Sequence, residues 1–166
     1  MSGIEERIEV VEGNILDYDK DIVIQQVNCQ GVMGGGLAKQ ILIKYPEVPV
    51  EYKKYWAKQK KKITETKEML GEVLYVDVYD GKIIANVFGQ DDIRKGLEDK
   101  TVYTYEWALL KGIEEVKNKA YELGLSVAIP TYIGCGMANG DWQSIKPKIE
   151  DIFEYSGVDV TFYHYR

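Results

Sequence analysis

The stretch Ile22-Val23-Ile24-Gln25-Gln26-Val27-Asn28-Cys29-Gln30-Gly31-Val32-Met33-Gly34-Gly35-Gly36-Leu37-Ala38 decides the fold. Its first seven residues are apolar and β-branched and turn polar at the end, as in a strand with a buried interior and a solvent-facing C-terminal end. Three consecutive glycines follow, and then a helical pattern over residues 37–44. A strand that passes through a glycine-rich loop into a helix opens an α/β unit, and open α/β sheets bind ligands at that carboxyl edge. The glycines let the backbone turn its amides inward, and the helix that follows adds its positive end, so the junction suits a phosphate.

The same grammar recurs further along. Residues 126–130 read as a buried strand that enters a second glycine-rich loop, 133–140, and then a helix over 142–155 with Asp141 at its N-cap. A short strand is predicted over 8–11. Pro46 and Pro49 interrupt the chain before a basic, tyrosine-rich helix over 51–62. Strands over 72–78 and 82–88 are joined by Tyr79-Asp80-Gly81, whose Asp-Gly pair favours a hairpin. A polar loop, 89–100, precedes a long helix over 102–123 that Gly124 stops, and a strand over 158–165 follows. This alternation predicts an α/β fold, a three-layer α/β/α arrangement around a central mixed, mostly parallel sheet. There is no internal repeat or linker, and 166 residues suit a single domain over 1–166.

Hydrophobic residues make up 45% and charged residues 29%, a balance that excludes a disordered or fibrous chain. No apolar run approaches the roughly 20 residues that cross a bilayer, so no membrane partner is expected. Met1-Ser2-Gly3-Ile4-Glu5-Glu6-Arg7 lacks the basic start and apolar stretch of a signal peptide, and the expected location is cytoplasmic. The net charge of -6 is opposite to that of most proteins that neutralise duplex nucleic acid, but it permits a small anion held by backbone amides. Cys29 and Cys135 are far apart without CxxC spacing, and His164 is the one histidine. The residues therefore imply neither a metal nor a cofactor, and serine-histidine catalysis is poorly supported. Neither loop follows GxGxxG or GxxxxGK[ST], which argues against a dinucleotide oxidoreductase and a P-loop NTPase.

Four pieces stand in an informative order and spacing: Val11-Glu12-Gly13-Asn14-Ile15-Leu16, Val27-Asn28-Cys29-Gln30-Gly31, Gly34-Gly35-Gly36-Leu37-Ala38, and Ile129-Pro130 through Gly136 with Asp141-Trp142. From about Ile8 onward the chain resembles the macro domain family. It is most similar to the branch that includes terminal ADP-ribose glycohydrolases, ADP-ribose 1''-phosphate phosphatases and antitoxins that remove ADP-ribose from DNA. The resemblance implies ADP-ribose, or a derivative, in a cleft at the sheet's C-terminal edge. It puts Asn14 and the Ile15 backbone at the adenine, where many members have an aspartate, and a neutral amide there implies weaker adenine selection. It puts Asn28 at the distal ribose, with Gly31, Val32, Met33, Gly34, Gly35 and Gly36 around that ribose and one phosphate. Ile133, Gly134, Cys135, Gly136 and Met137 would meet the diphosphate, and Phe88 either the ligand or the core.

The glycohydrolase branch uses a lysine where this chain has Gln90, which is left as a ligand contact, and an aspartate where it has Ala138. Glutamine neither forms a lysyl adduct nor acts as a base, so that mechanism is expected to be absent. Asp141 remains as a catalytic candidate that directs a water at a 1''-phosphate or a ribose ester, with Asn28 fixing the ribose; an aspartate there reads equally as an N-cap. Asp91 and Asp92 are loop carboxylates within possible reach. Cys29 and Cys135 lack a cationic neighbour and read as inert, and His164, distant from both loops in sequence, reads as structural. Lys58-Gln59-Lys60-Lys61-Lys62, with Tyr52, Tyr55 and Trp56, reads as a solvated helix end over inward aromatics. An ADP-ribosylated protein or nucleic acid stays a candidate partner. The expectation is a hydrolase acting at the distal ribose, either an ADP-ribose 1''-phosphate phosphatase or an ADP-ribosyl or O-acetyl-ADP-ribose ester hydrolase. The alternative is a non-catalytic ADP-ribose reader.

Overall fold

Strands β1 (Glu9–Glu12), β2 (Ile22–Asn28), β3 (Val73–Asp77), β4 (Ile83–Gln90), β5 (Val127–Pro130) and β6 (Val160–His164) form one sheet in the order β1-β6-β5-β2-β4-β3. The computed structural model describes residues 7–165; residues 1–6, on which the reading of the N-terminus rests, and residue 166 lie outside them. Every pairing is parallel except the β3–β4 hairpin, where Gly81 takes φ 90° in the turn. Ile22 is aligned with Val127 on one side and Ile83 on the other, which sets β2 in the middle of the sheet.

Helices α1 (Gly36–Lys44), α2 (Glu47–Lys60), α3 (Glu106–Leu123) and α4 (Trp142–Phe153) cover both faces. Leu109, Ile113 and Val116 of α3 and Ile145 and Ile149 of α4 pack on Ile22, Ile24 and Ile129. On the opposite face Ile41, Tyr45 and Val48 meet Val23, Ile84 and Ala128. A strand buried on both sides needs an unbroken apolar run, which is what residues 22–24 supply. The result is the expected three-layer arrangement with a mixed, mostly parallel sheet. Among the described residues no helix is long and apolar enough to cross a membrane.

Two boundaries differ from expectation. Pro49 lies inside the first turn of α2, where its missing N–H has no intrahelical partner to lose, so the prolines open that helix instead of interrupting the chain. Residues 102–105 are not helical. Tyr103 N–H donates to Ala138 O at 2.8 Å and Tyr105 N–H to Gly89 O at 2.8 Å, and this backbone pairing delays α3 to Glu106. Because β2, β4, β5 and β6 run parallel, their last residues Asn28, Gln90, Pro130 and His164 come to one edge.

Candidate functional site

Three connected cavities run along that edge. The middle one, of about 310 Å³, lies between the two glycine loops and is lined by Gln25, Gln26, Gly35, Gly36, Thr131, Ile133, Gly134, Gly136 and Met137, among others. It shares Gln26, Gly35, Ala38, Gln90 and Met137 with a second cavity of about 310 Å³ that contains Asn28, Val32, Met33, Gly34, Ile93 and Arg94. At its other end it shares Gly36, Leu37, Pro130, Thr131 and Tyr132 with a third, of about 390 Å³, that contains Asn14, Ile15, Gln40 and His164. Each has the size of a small-molecule site.

The floor is an amide network. Gln26 Nε2 donates to Gln90 Oε1 at 3.1 Å and to Thr104 Oγ1 at 3.0 Å, and Thr104 Oγ1 donates to Gly134 O at 2.6 Å. Strands β2 and β4, the segment before α3 and the second loop are thereby tied together. Gln25, 2% exposed, donates through Nε2 to Asn86 Oδ1 at 2.7 Å. Gln25 Oε1, Gln26 Oε1 and Thr131 Oγ1 are buried without a hydrogen-bond partner, and all three residues line the middle cavity. An unpaired buried acceptor costs about 1–3 kcal/mol, so the cavity wall carries polar groups that the fold leaves unsatisfied.

Asn28 fastens the first loop. Its Oδ1 accepts from Gln30 N at 3.0 Å and from Tyr52 OH at 2.9 Å, while Nδ2 donates to Val32 O at 2.7 Å. This is an Asx-type turn, and it commits much of the side chain's capacity to the loop itself. Gly31 takes φ 75°, and a Cβ there would come within 2.8 Å of Trp56, whose Nε1 donates to Cys29 O at 2.7 Å. In the second loop Tyr132 takes φ 65°, a strained left-handed conformation, against Trp142 and His164 at ring separations of 5.5 and 5.7 Å.

Of the residues singled out in the sequence, the cavities bring together Asn14, Ile15, Asn28, Val32, Met33, Gly34, Gly35, Gly36, Gln90, Ile133, Gly134, Gly136 and Met137. Four others lie off the cleft. Gly31 is claimed by Trp56, and Cys135 is half-buried with Sγ on Ile133 O. Phe88 is fully buried against Tyr52 and Tyr55, which fits the core alternative of its sequence reading. Asp141 lines none of the three cavities; its Oδ1 accepts from Gln143 N at 3.0 Å as the N-cap of α4, so the structure does not place it with Asn28. Asp91 is bonded by Thr66 Oγ1 at 2.7 Å and Asp92 by Lys95 at 2.8 Å, and Lys95 holds the Asp92 carboxyl below the usual carboxylate range.

Burial pushes the Cys29 thiol up to about 12 and the Cys135 thiol up to about 11, with nearby carboxylates adding to both. Such thiols are poor nucleophiles. His164 comes closer to the loops than its place in the sequence suggests: β6 lies parallel to β5 with Tyr163 opposite Pro130, which sets the imidazole against Tyr132 and among the residues lining the third cavity. Gln25, Gln26, Thr131 and Arg94 were not singled out from sequence, although two glutamines inside an otherwise apolar strand were a visible signal. No group of three or more His, Cys, Asp or Glu among the described residues is arranged to hold a metal. In α2, Tyr52 is buried and Tyr55 and Trp56 half-buried, while Lys58 and Lys60, and Lys61 and Lys62 just after the helix, are exposed.

No protein-family model matches the chain. It is 30% identical over 156 residues to the DNA ADP-ribosyl glycohydrolase of Mycobacterium tuberculosis, a match covering 91% of this chain and 40% of that protein. The chain thus spans 40% of the length of the curated relatives it matches. Among solved structures, the macrodomain of Mycobacterium tuberculosis DarG superposes with a TM-score of 0.73 at 26% identity, covering 94% of this chain and 96% of that one. Thermosipho africanus DarTG in complex with ADP-ribose gives a TM-score of 0.72 at 18% identity, covering 94% and 41%, and shares the fold.

Proposed function

We propose that the chain is a macro domain, that it binds an ADP-ribose derivative along the three cavities, and that it hydrolyses a phosphate monoester on the distal ribose. The observation that carries this reading is the continuity of the cavities between two glycine loops at the carboxyl edge. The adenine lies at the Asn14 end, where Asn14 Nδ2 already donates to Gln40 Oε1 at 2.8 Å. The diphosphate lies in the middle, held by amides of loop 133–137 and by the positive end of α1. The distal ribose lies beside Asn28 and Gln90.

The residues favour phosphate over the other leaving groups. The middle cavity and the one at Asn28 are lined by no Asp, Glu, His, Cys or Lys side chain. A lysyl adduct or a carboxylate base, as N-glycosidic cleavage in the resembling branch requires, has no residue to supply it. Phosphoryl transfer asks mainly for positioning and charge stabilisation. Water attacks phosphorus as the bond from phosphorus to the C1'' oxygen breaks; the water proton goes to the leaving oxygen, and ADP-ribose and inorganic phosphate result. The second reading, a non-catalytic reader, is favoured by the same lack of an acid or base.

A phosphorus NMR time course of ADP-ribose 1''-phosphate with the purified protein separates them. Conversion of the monoester signal to inorganic phosphate supports the phosphatase. A persistent monoester with shifted diphosphate resonances supports the reader, and no change in either signal overturns ADP-ribose binding itself.

A further inference from the structure

The cleft holds one charged side chain without a role in the reading above. Arg94, in the loop after β4, lines the cavity at Asn28 and is the one arginine or lysine among the residues lining that cavity and the middle one. Its Nε donates to Gly96 O at 2.7 Å and its Nη2 to Leu97 O, so two carbonyls of its own loop hold one edge of the guanidinium. Among the described residues it makes no ion pair. Three carboxylates of this segment are engaged elsewhere: Asp91 with Thr66, Asp92 with Lys95, and Asp99 with Tyr103 and the backbone N–H of Lys95 and Thr101.

An unpaired guanidinium offers planar, paired donors that fit two oxygens of a phosphate. A ribose hydroxyl gains little from it. The diphosphate is not its partner either, because Arg94 lines the cavity at Asn28 and not the middle one. In a chain of net charge -6, a cation at this end of the cleft is also where an incoming anion is least repelled.

We propose that Arg94 binds a phosphate ester carried on the distal ribose, making it the residue by which this cleft selects phosphorylated ADP-ribose over ADP-ribose. The assignment rests on the reading of the cleft as an ADP-ribose site. A guanidinium in this place also stabilises the negative charge on the phosphoryl oxygens as water attacks.

The test is calorimetric binding of ADP-ribose and of its 1''-phosphonate analogue, which resists hydrolysis, to the full chain and to Arg94→Ala and Arg94→Lys, with circular dichroism to confirm folding. The full chain should bind the phosphonate about tenfold more tightly than ADP-ribose, with a preference that shrinks as salt rises. Arg94→Ala should erase that preference, bringing the two affinities together, and Arg94→Lys should restore part of it as a point charge. An unchanged preference in Arg94→Ala, or none in the full chain, overturns the role of Arg94 while the ADP-ribose site stands. Failure of the full chain to bind either ligand overturns the site itself. A gain that depends on Arg94 but appears only with an ADP-ribosylated oligonucleotide overturns the terminal phosphate in favour of a nucleic-acid backbone.

Discussion

Gln26 and Gln90, on neighbouring parallel strands, are joined by a 3.1 Å hydrogen bond from Gln26 Nε2 to Gln90 Oε1, at the point where the middle cavity meets the one containing Asn28. Gln26→Leu keeps the side-chain volume nearly constant but removes the donor shared by Gln90 and Thr104. Urea unfolding should show a loss of about 1–3 kcal/mol from the acceptors left behind. Calorimetry should show weaker ADP-ribose binding, since the floor of both cavities loosens. Full affinity in this variant would mean that the network supports the fold without shaping the site.

The second loop closes through Gly140 N–H, which donates to Gly134 O at 2.9 Å. A Cβ at Gly140 would meet that same carbonyl oxygen inside van der Waals contact, and backbone does not give way as a flexible side-chain end does. Gly140→Ala is therefore expected to shift the loop, with a stability loss above about 1 kcal/mol. The larger effect should fall on binding, because Gly134 and Gly136 line the middle cavity. Comparing the thermal shift produced by ADP-ribose in the two proteins checks both effects.

Asp141 separates a structural role from a chemical one. Loss of its bond to Gln143 N in Asp141→Ala should cost about 0.5–2 kcal/mol, and Asp141→Asn, an equally good cap, should restore most of it. Affinity for ADP-ribose and the rate of phosphate release should both stay within about twofold, as the side chain lines none of the cavities. A selective fall in turnover with melting temperature unchanged would return Asp141 to the reaction.

Local pattern carried the layers and most strand positions. The apolar run Ile22-Val23-Ile24 reads as buried on both faces, and Asp80-Gly81 reads as a hairpin turn, because each signal lies within a few residues. What depends on distant pairing was out of reach. Residues 102–105, Val-Tyr-Thr-Tyr, have only the weak β-branched and aromatic preference against helix, and Ala138 O and Gly89 O are what hold them extended. His164 reaches the cleft only through the order of β5 and β6, and Gln26, Gln90 and Thr104 meet only once three segments converge. Asp141 shows the converse case: the resemblance implied a place near the distal ribose and the local pattern an N-cap, and the cap is the contact its side chain makes.

The two thiols make a prediction with a definite pH direction. Both ordinarily titrate near 9.0, and burial raises Cys29 to about 12 and Cys135 to about 11 in the folded chain. At pH 8 the thiolate fraction is then on the order of one in ten thousand for Cys29 and one in a thousand for Cys135. A disulfide-exchange reagent should react slowly with the native protein at that pH and titrate both thiols quickly in denaturant. A folded-state pKa above the unfolded one favours the fold fully below pH 9, and that contribution fades as pH climbs toward 12. Urea midpoints measured between pH 8 and 10.5 should fall, and a Cys29→Ala, Cys135→Ala protein should lose less over the same range. Rapid native labelling of Cys29 at pH 8 would show that the first loop opens readily, since Cys29 is fully buried and its backbone is held by Trp56 and Asp91.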